Sequence, residues 1–232
     1  MKLSELMEKS GKFGSLDITG VTCDSRHIVP GCAFVCINGA ATDGHRFAAD
    51  AAEKGAAVII CEKDVGLENQ IFVENSRVEF AKMSAKWFGE PAKSLKIIGV
   101  TGTNGKTSVS YMLKSVLEHC GYKVGLVGTI QNMIGDEILP SKNTTPSPYE
   151  LQSMFSLMEK AGCTYCIMEV SSHALDQDRT YGIDFEVGMF TNLTQDHLDY
   201  HITMDNYLKA KKKLFRSCKK AIMNLDDSYF TE

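Results

Sequence analysis

Long apolar runs alternate with segments of helical periodicity in the second part of the chain. The predicted strands there are KIIGVT, KVGLVGT, CTYCIMEV, EVGMFTNL and KAIMNLD, and the predicted helices span residues 106–119, 148–161 and 204–217. These strands are apolar almost throughout, which is typical of a parallel sheet covered on both faces. The pattern therefore predicts an α/β domain with a mostly parallel sheet over residues 94–232.

Shorter elements fill the first part of the chain. The predicted strands are CAFVCI, AAVIIC and QIFV, and the predicted helices are HRFAADAAEKG and VEFAKMSAKWFG. Alternating short strands and helices favour a small α/β domain, which we place at residues 1–90. The polar segment GEPAKS, residues 89–94, contains glycine and proline and is interpreted as a linker.

Composition narrows the class of protein. The chain has 232 residues, 44% of them hydrophobic, and a formal net charge of −4. These values suit one or two globular domains and exclude a general attraction to nucleic acid. The basic segment YLKAKKKLFRSCKK is typical of a solvated helix face; the alternative is a weak nucleic-acid patch, which the acidic net charge disfavours. Most of the eight cysteines lie inside apolar runs, so we expect buried, reduced thiols; the isolated CTYC pair lacks the second pair of a zinc site.

The two ends of the chain bear on its location and completeness. The segment MKLSELMEKSGK is too charged for a signal peptide, and no apolar run approaches the length of a membrane span. We expect a cytoplasmic protein without membrane or nucleic-acid partners, of unknown oligomeric state. The final NLDDSYFTE directly follows a predicted strand, so we expect a chain cut within a fold or at a domain edge.

The segment GVTGTNGKTS joins a predicted strand to a predicted helix. In such a unit the loop amides and the helix N-terminus can bind an anion. Gly102 and Gly105 would let the backbone approach phosphate oxygens, Lys106 would bridge phosphates, and Thr107 would place a hydroxyl on Mg²⁺. Val100 stands where the common phosphate-loop pattern has glycine, so the loop is a variant. The alternative is a glycine turn before an ordinary helix.

Two further polar groups follow buried strands. Glu169 ends one strand, at the edge where a parallel sheet forms its ligand crevice, although it could also cap a helix. His197 and His201 follow another strand; Leu198 excludes the zinc-protease pattern, and alone they would be two surface histidines. Thr107, Glu169 and His197 are all predicted near strand ends, where hydroxyl, carboxylate and imidazole groups can bind Mg²⁺.

The segment NTTPSP precedes a predicted helix. Asn143, Thr144 and Thr145 offer amide and hydroxyl groups to a ligand, and the prolines stiffen the turn. The alternative is that these residues only cap the helix.

Several of these motifs together resemble one enzyme family. GVTGTNGKTS, NTTP, MEVSSHAL with QDR, and TNLTQDHLDYH followed by KAKKKLF are similar to motifs of the Mur ligases, above all the tripeptide-forming MurE-type. DSRHIVPGCAFVCINGAATDGHRFAADAAEKGA resembles their UDP-binding N-terminal domain. The resemblance implies this domain at residues 1–90, then an incomplete central domain of the P-loop type at residues 94–232. The C-terminal ligase domain is expected to be absent.

The resemblance also implies a reaction. An ATP-dependent ligase of this kind phosphorylates the D-Glu carboxylate of UDP-N-acetylmuramoyl-L-Ala-D-Glu, and an amino acid then attacks the acyl phosphate to form an amide. Such enzymes serve peptidoglycan synthesis, and so cell shape and division. The identity of the amino acid stays open, and we expect the present chain to be inactive alone. Alternatives are a non-catalytic module that binds UDP-sugars or nucleotides, another Mur ligase, or a ligase of the folylpolyglutamate type.

The resemblance assigns roles to residues. It implies catalytic roles for Lys106, Glu169, His197 and Lys211. It implies two Mg²⁺ ions, one held by Thr107 and a second held by Glu169 and His197 and supported by Lys211 as a carbamate formed with CO₂. It implies ATP binding by Gly102, Thr103, Asn104, Gly105, Lys106, Thr107 and Ser108. It implies substrate binding by Ser25, Asn143, Thr144, Thr145, Ser171, Gln177 and Arg179. One departure is Ala40 and Ala41, where some relatives carry His-Gln.

Overall fold

The structure is a computed structural model that describes residues 1–39 and 42–229. Its chain divides into two compact units, Met1–Glu90 and Pro91–Glu232. Ala40 and Ala41, the positions of the predicted departure, lie outside the described residues. In the described part of the chain, no helix is both long and apolar enough to cross a membrane.

The first unit is a small α/β domain around a four-stranded parallel sheet. Its strands are β1 (Val21–Thr22), β2 (Ala33–Val35), β3 (Val58–Cys61) and β4 (Gln70–Phe72), in the order β1-β2-β3-β4. Its helices are α1 (Leu3–Leu6), α2 (Ala48–Glu53) and α3 (Ser76–Trp87), with short 3-10 helices at Gly11–Phe13 and Gly44–Phe47. Phe34 and Ile59 form a core with Ala51, in which Cys36 and Cys61 are buried free thiols, as predicted.

The second unit is built on a seven-stranded sheet. Its strands are β5 (Lys96–Thr101), β6 (Val124–Val127), β7 (Asn132–Ile134), β8 (Glu137–Leu139), β9 (Tyr165–Glu169), β10 (Phe185–Phe190) and β11 (Cys218–Met223). Its helices are α4 (Lys106–His119), α5 (Pro148–Lys160), α6 (Ser172–Asp176), α7 (Leu198–His201) and α8 (Met204–Lys212), with 3-10 helices at Pro91–Ser94 and Lys213–Arg216. The strand order is β11-β10-β5-β9-β6-β7-β8. The predicted α/β class with a mostly parallel sheet is confirmed.

The sheet departs from the parallel pattern at one edge. β7 pairs antiparallel with β6, and β8 pairs antiparallel with β7. Gly135 forms the turn between them with φ +60°. This hairpin was not predicted, because its two strands are only three residues long and alternate weakly. The predicted helix at residues 204–217 also differs: α8 ends at Lys212, and a tighter 3-10 turn follows.

Both faces of the central strands are covered. Ile97 of β5 faces a cluster with Phe155 of α5. Its neighbour Ile98 faces the opposite cluster with Leu113 of α4. Successive strand residues point to opposite faces, so a doubly covered strand must be apolar throughout. The register pairs Val100 with Glu169, which brings the carboxyl ends of β5 and β9 to one edge of the sheet.

Candidate nucleotide and metal site

The predicted phosphate loop turns sharply between β5 and α4. Gly102 has φ +145° and Gly105 has φ +84°, and Gly105 is the N-cap of α4. A Cβ atom at Gly102 would collide with the Thr191 hydroxyl, so glycine is required there by close approach as well as by backbone conformation. The first-turn amides of α4 lack intrahelical acceptors and are suited to an anion. The loop therefore has the backbone geometry that the phosphate-loop prediction requires.

The segment that follows β10 holds the phosphate loop in this conformation. The Thr103 amide donates to the Asn192 carbonyl at 2.9 Å, and the Asn104 amide donates to Asn192 Oδ1 at 2.9 Å. Thr191 Oγ1 donates to the Asn104 carbonyl at 2.7 Å. Thr191 and Asn192 were missed as site residues, although they lie within the TNLTQDHLDYH motif. Their bonds preorganise the loop before any ligand arrives.

Two lysines converge on one carbonyl oxygen of this loop. Lys106 Nζ donates to Gly102 O at 3.0 Å and to Thr103 O at 2.9 Å. Lys211 Nζ donates to the same Gly102 O at 2.8 Å. Lys211 is only 2% exposed, so the prediction of a solvated face from composition is wrong at this residue. The rest of its helix does carry exposed lysine, because only one face of α8 packs inward.

Burial changes the protonation of both amines. It lowers the pKa of Lys211 from 10.5 to about 7, and repulsion from the Lys106 ammonium contributes to this shift. Burial also lowers the pKa of Lys106, against the attraction of the Glu169 and Asp196 carboxylates. A substantial fraction of Lys211 is therefore an uncharged amine near neutral pH. An uncharged amine is the form that can react with CO₂.

Tyr207 connects Lys211 to the phosphate loop. The Lys211 ammonium lies 4.5 Å from the centre of the Tyr207 ring, and the phenol oxygen lies 3.2 Å from Thr103 Oγ1. Tyr207 is buried, and burial raises its pKa. Sequence reasoning missed this residue; the available signal was its position four residues before Lys211, on the same face of α8.

Glu169 is a buried carboxylate held by neutral donors. It is 1% exposed at the end of β9 and accepts from Thr107 Oγ1 at 3.0 Å. It also accepts from the Thr129 amide and from Thr129 Oγ1, each at 3.0 Å. The helix-cap alternative is wrong, because Ser171 caps α6 with its own side chain. Thr129 was missed by sequence reasoning, since nothing in its local pattern distinguishes it from a turn residue.

The Thr107–Glu169 pair suits a divalent cation on its donor chemistry. A hydroxyl oxygen and a carboxylate are ligands that Mg²⁺ accepts, and Mg²⁺ commonly takes its remaining ligands from phosphates and water. Among the described residues, no group of three or more His, Cys, Asp or Glu side chains could hold a metal ion. A cation at this pair would therefore depend on ligands supplied by a bound nucleotide.

The histidines occupy different environments. His197 caps α7 with φ +52°, and 44% of its side chain is exposed. His201 is 5% exposed, and its Nε2 lies 2.9 Å from Ser172 Oγ, so the expectation of two surface histidines is wrong for His201. His173, not predicted, contacts both rings: its ring centre lies 4.9 Å from that of His197, in an edge-on arrangement, and 5.5 Å from that of His201. Burial lowers the pKa of His173 and of His201.

The His197 ring lies near Tyr207, which in turn contacts Lys211. Its centre lies 6.1 Å from that of Tyr207, the ring that also contacts the Lys211 ammonium. Thr107 and Glu169 are in direct contact, and Lys106 and Lys211 share Gly102 O. The four predicted metal ligands thus lie around one phosphate loop.

Most predicted substrate residues form a chain of hydrogen bonds beside Glu169. Thr145 Oγ1 donates to the Glu169 carbonyl at 2.8 Å, and the Ser171 amide donates to Thr145 Oγ1 at 3.0 Å. Arg179 Nη1 donates to the Thr145 carbonyl at 2.8 Å, and Arg179 Nη2 donates to Gln177 Oε1 at 2.7 Å. These contacts orient hydroxyl and guanidinium groups at the same sheet edge as the phosphate loop.

The remaining predicted substrate residues are placed differently. Thr144 Oγ1 lies 3.0 Å from Thr129 Oγ1, whereas Asn143 is exposed and lines a cavity of about 270 Å³ beside α5. Ser147, not NTTP, caps α5, so the helix-cap alternative for Asn143, Thr144 and Thr145 is wrong. Ser25 lies in the first unit, in the turn after β1, and its carbonyl accepts from Lys54 Nζ at 3.3 Å. Ser108 is exposed in the first turn of α4.

Comparison with known proteins places these features in a family. The Mur ligase middle domain matches residues 100–232, and the family described as Mur ligase family, catalytic domain, matches residues 17–98. A UDP-N-acetylmuramoyl-L-alanyl-D-glutamate–2,6-diaminopimelate ligase of Clostridium botulinum is 49% identical over 226 residues, covering 94% of this chain and 46% of the relative. A ligase of the same name, numbered 1, from Clostridium acetobutylicum is 51% identical over 218 residues, covering 93% and 45%.

The fold comparison agrees with the sequence comparison. A solved structure of a UDP-N-acetylmuramoyl-L-alanyl-D-glutamate–2,6-diaminopimelate ligase superposes with a TM-score of 0.87 and 30% identity, covering 100% of this chain and 48% of that one. The chain spans about half the length of the curated relatives it matches. The Mur ligase middle domain matches more than half of the chain, and the phosphate loop, the buried lysine and the strand-end glutamate lie within the matched part. The chain therefore belongs to the Mur ligase family.

Proposed function

We propose that this chain is the UDP-substrate-binding and ATP-binding part of a ligase that adds an amino acid to the D-Glu of UDP-N-acetylmuramoyl-L-Ala-D-Glu. The names of the relatives make 2,6-diaminopimelate the first amino acid to consider. The observation that carries the proposal is the convergence of Lys106, Lys211 and the Thr107–Glu169 pair on one phosphate loop. Residues 1–90 are proposed as the UDP-binding domain and residues 94–232 as the central domain.

In the first step, a carboxylate oxygen of D-Glu attacks the γ-phosphorus of ATP, and ADP leaves. Such transfers depend on positioning and charge neutralisation. The loop from Gly102 to Gly105 and the N-terminus of α4 would hold the phosphates. Lys106, which otherwise donates to two loop carbonyls, would turn its ammonium to the phosphate oxygens. Thr103, Asn104 and Ser108 complete the proposed ATP-binding set.

One divalent cation is proposed at the Thr107–Glu169 pair, and a second is proposed at Glu169 and His197, supported by carbamylated Lys211. When bound, Mg²⁺ would neutralise charge between the two reacting anions. The lowered pKa of Lys211 favours carbamate formation, because the uncharged amine attacks CO₂ and then loses a proton. The carbamate would replace a cation beside Lys106 by an anion, which removes the repulsion between the two amines.

In the second step, the incoming amine attacks the acyl-phosphate carbonyl, phosphate leaves, and the nitrogen gives up a proton. Arg179, Gln177 and Ser171 are proposed to hold the peptide part of the substrate, together with Asn143, Thr144 and Thr145. Arg179 suits anionic groups because its guanidinium forms paired, charge-assisted hydrogen bonds. Ser25 is proposed at the uridine end. ATP and a UDP-linked substrate are consistent with a cytoplasmic location.

The test uses the protein at the full length of its relatives. It is supplied with UDP-N-acetylmuramoyl-L-Ala-D-Glu, ATP, Mg²⁺ and either diaminopimelate or lysine, and phosphate release and the amide product are measured. We expect release that depends on the amino acid. Tight nucleotide binding without phosphate release for any amino acid would instead support a non-catalytic binding module.

A further inference from the structure

Glu169 sits against a turn that sequence reasoning did not single out. The turn consists of Gly128 and Thr129, which follow β6 and precede the β7–β8 hairpin. The Thr129 amide donates to Glu169 Oε1 and the Thr129 hydroxyl donates to Glu169 Oε2, both at 3.0 Å. One residue therefore holds both oxygens of the carboxylate, which fixes the plane of the group as well as its position.

Gly128 forms the surface against which the Glu169 carboxylate packs. It is buried, and a Cβ atom there would collide with Glu169 Oε1, so the carboxylate packs directly on the glycine backbone. The Gly128 amide donates to Asn132 Oδ1 at 3.2 Å, and the Gly128 carbonyl accepts from Ser141 Oγ at 2.6 Å. Asn132 begins β7, and Ser141 follows β8. The hairpin thus holds both polar groups of the Gly128 backbone.

The direction of the hydrogen bonds follows from proton counting. Thr129 Oγ1 lies 3.0 Å from both Glu169 Oε2 and Thr144 Oγ1, and a hydroxyl has one proton to give. A carboxylate can only accept, so the Thr129 hydroxyl gives its proton to Glu169 and shares the contact with Thr144 Oγ1 as a second, weaker partner. Thr129 therefore links Thr144, a proposed substrate contact, to the carboxylate proposed for the cation.

We infer that Thr129 is a positioning residue, which orients the Glu169 carboxylate for the divalent cation of the bound nucleotide; the inference rests on the proposed function. Three features support it. The contacts engage both carboxylate oxygens, the turn is braced by the hairpin, and Thr129 is itself exposed. An exposed turn residue contributes little to a core, so a purely packing role accounts poorly for this arrangement. Groups that orient metal ligands commonly affect metal affinity about 10–100-fold.

The experiment compares Thr129→Val, Thr129→Ala and Thr129→Ser in the full-length protein. Valine and alanine remove the hydroxyl, and serine retains it. Thr164→Val is the matched control, because Thr164 precedes β9 at the end opposite to Glu169. Mn²⁺ is titrated into each protein saturated with adenylyl imidodiphosphate, and free Mn²⁺ is measured by electron paramagnetic resonance. Nucleotide affinity is measured separately in EDTA.

We expect Thr129→Val and Thr129→Ala to raise the Mn²⁺ dissociation constant about 10-fold or more, with nucleotide affinity in EDTA unchanged. Thr129→Ser and Thr164→Val should bind Mn²⁺ like the unsubstituted protein. In turnover, excess Mg²⁺ should partly restore kcat in the valine variant. Unchanged Mn²⁺ affinity in folded Thr129→Val or Thr129→Ala overturns the inference. It is also overturned if Thr129→Ser binds Mn²⁺ as weakly as Thr129→Val.

The two proposals can fail separately. If the protein binds Mn²⁺ and nucleotide normally but forms no amide product, the proposed function is wrong. If Thr129→Val forms the amide product at the unsubstituted rate at limiting Mg²⁺, Thr129 has no positioning role. The ligase proposal would then still stand.

Discussion

Lys211 is the residue at which local composition and tertiary structure differ most. Its helix contains three lysines within four positions, Lys209, Lys211 and Lys212, yet the Lys211 side chain is buried and donates to the phosphate loop. Neighbouring Lys209 is exposed on the same helix. The difference is one of helix face, since residues two apart point about 200° apart around an α-helix.

Replacement of Lys211 tests its proposed carbamate. In the full-length protein, Lys211→Ala should reduce formation of the amide product to background, because the anion that would support the cation is lost. Short-chain carboxylates such as acetate should partly restore phosphate release by occupying the space of the carbamate. Lys209→Ala serves as the control and should retain activity. Wild-type rates in Lys211→Ala would show that another lysine has this role.

The lowered pKa of Lys211 also predicts how stability depends on pH. Below pH 7 this lysine is charged in both the folded and unfolded states and adds no pH dependence. Between its folded pKa of about 7 and its ordinary 10.5, the unfolded chain binds more protons, so the free energy of unfolding rises with pH. The rise is at most about 1.4 kcal/mol per pH unit.

The measurement is the midpoint of thermal unfolding between pH 7 and pH 9, in buffer free of CO₂. Lys211→Met should remove part of the increase seen in the unsubstituted chain, whereas Lys209→Met should retain it. A parallel pH dependence in Lys211→Met and the unsubstituted chain would contradict the assigned pKa.

At the scale of elements, the phosphate loop depends on the segment after β10. The strand–loop–helix pattern alone predicted the loop and the start of α4 at Lys106. It did not predict that Thr191 and Asn192 would bond the loop backbone, because these residues are nearly ninety positions away in the chain. Register between β10 and β5 brings the two segments together, with Phe190 opposite Thr101.

Gly102→Ala tests this contact. The substitution should destabilise the protein by more than the about 1–2 kcal/mol expected for a left-handed residue, because the new methyl group also collides with Thr191. It should also weaken ADP binding by displacing the loop. Gly121→Ala is the matched control: Gly121 also has a positive φ, +86°, but a Cβ there meets nothing within 4 Å.

The readouts are the thermal midpoint and ADP affinity by calorimetry. Thr191→Ala in combination with Gly102→Ala should recover part of the lost stability, since it removes the colliding oxygen. Equal destabilisation by Gly102→Ala and Gly121→Ala would show that the collision contributes nothing.

At the scale of the whole molecule, each unit has its own sheet and core. In the described part of the chain, the phosphate loop, Lys211 and Glu169 make their hydrogen bonds within Pro91–Glu232. The chain spans about half of its relatives, and closure by further elements commonly completes such nucleotide sites. We therefore expect the 232-residue chain to bind ADP but to release no phosphate with substrate and amino acid. Phosphate release by this chain alone would contradict that expectation.

Local patterns in the sequence determined much of the fold. Continuous apolar strands predicted the parallel sheet, and the glycines before Lys106 predicted a sharp loop leading into α4, because both reflect interactions within a few residues. The family resemblance, not the local pattern, singled out Lys211 from its lysine-rich helix. The short β7–β8 hairpin was missed, since three-residue strands carry little periodicity.

Tertiary structure alone decided which groups meet. The pairing of Thr129 with Glu169, the shared carbonyl of Lys106 and Lys211, and the burial of His201 all join residues separated by tens of positions. Such contacts depend on strand order and register, which bring distant strand ends to one edge of the sheet. A sequence pattern encodes the face on which a residue lies, whereas its partner across that edge is set by packing of the whole domain.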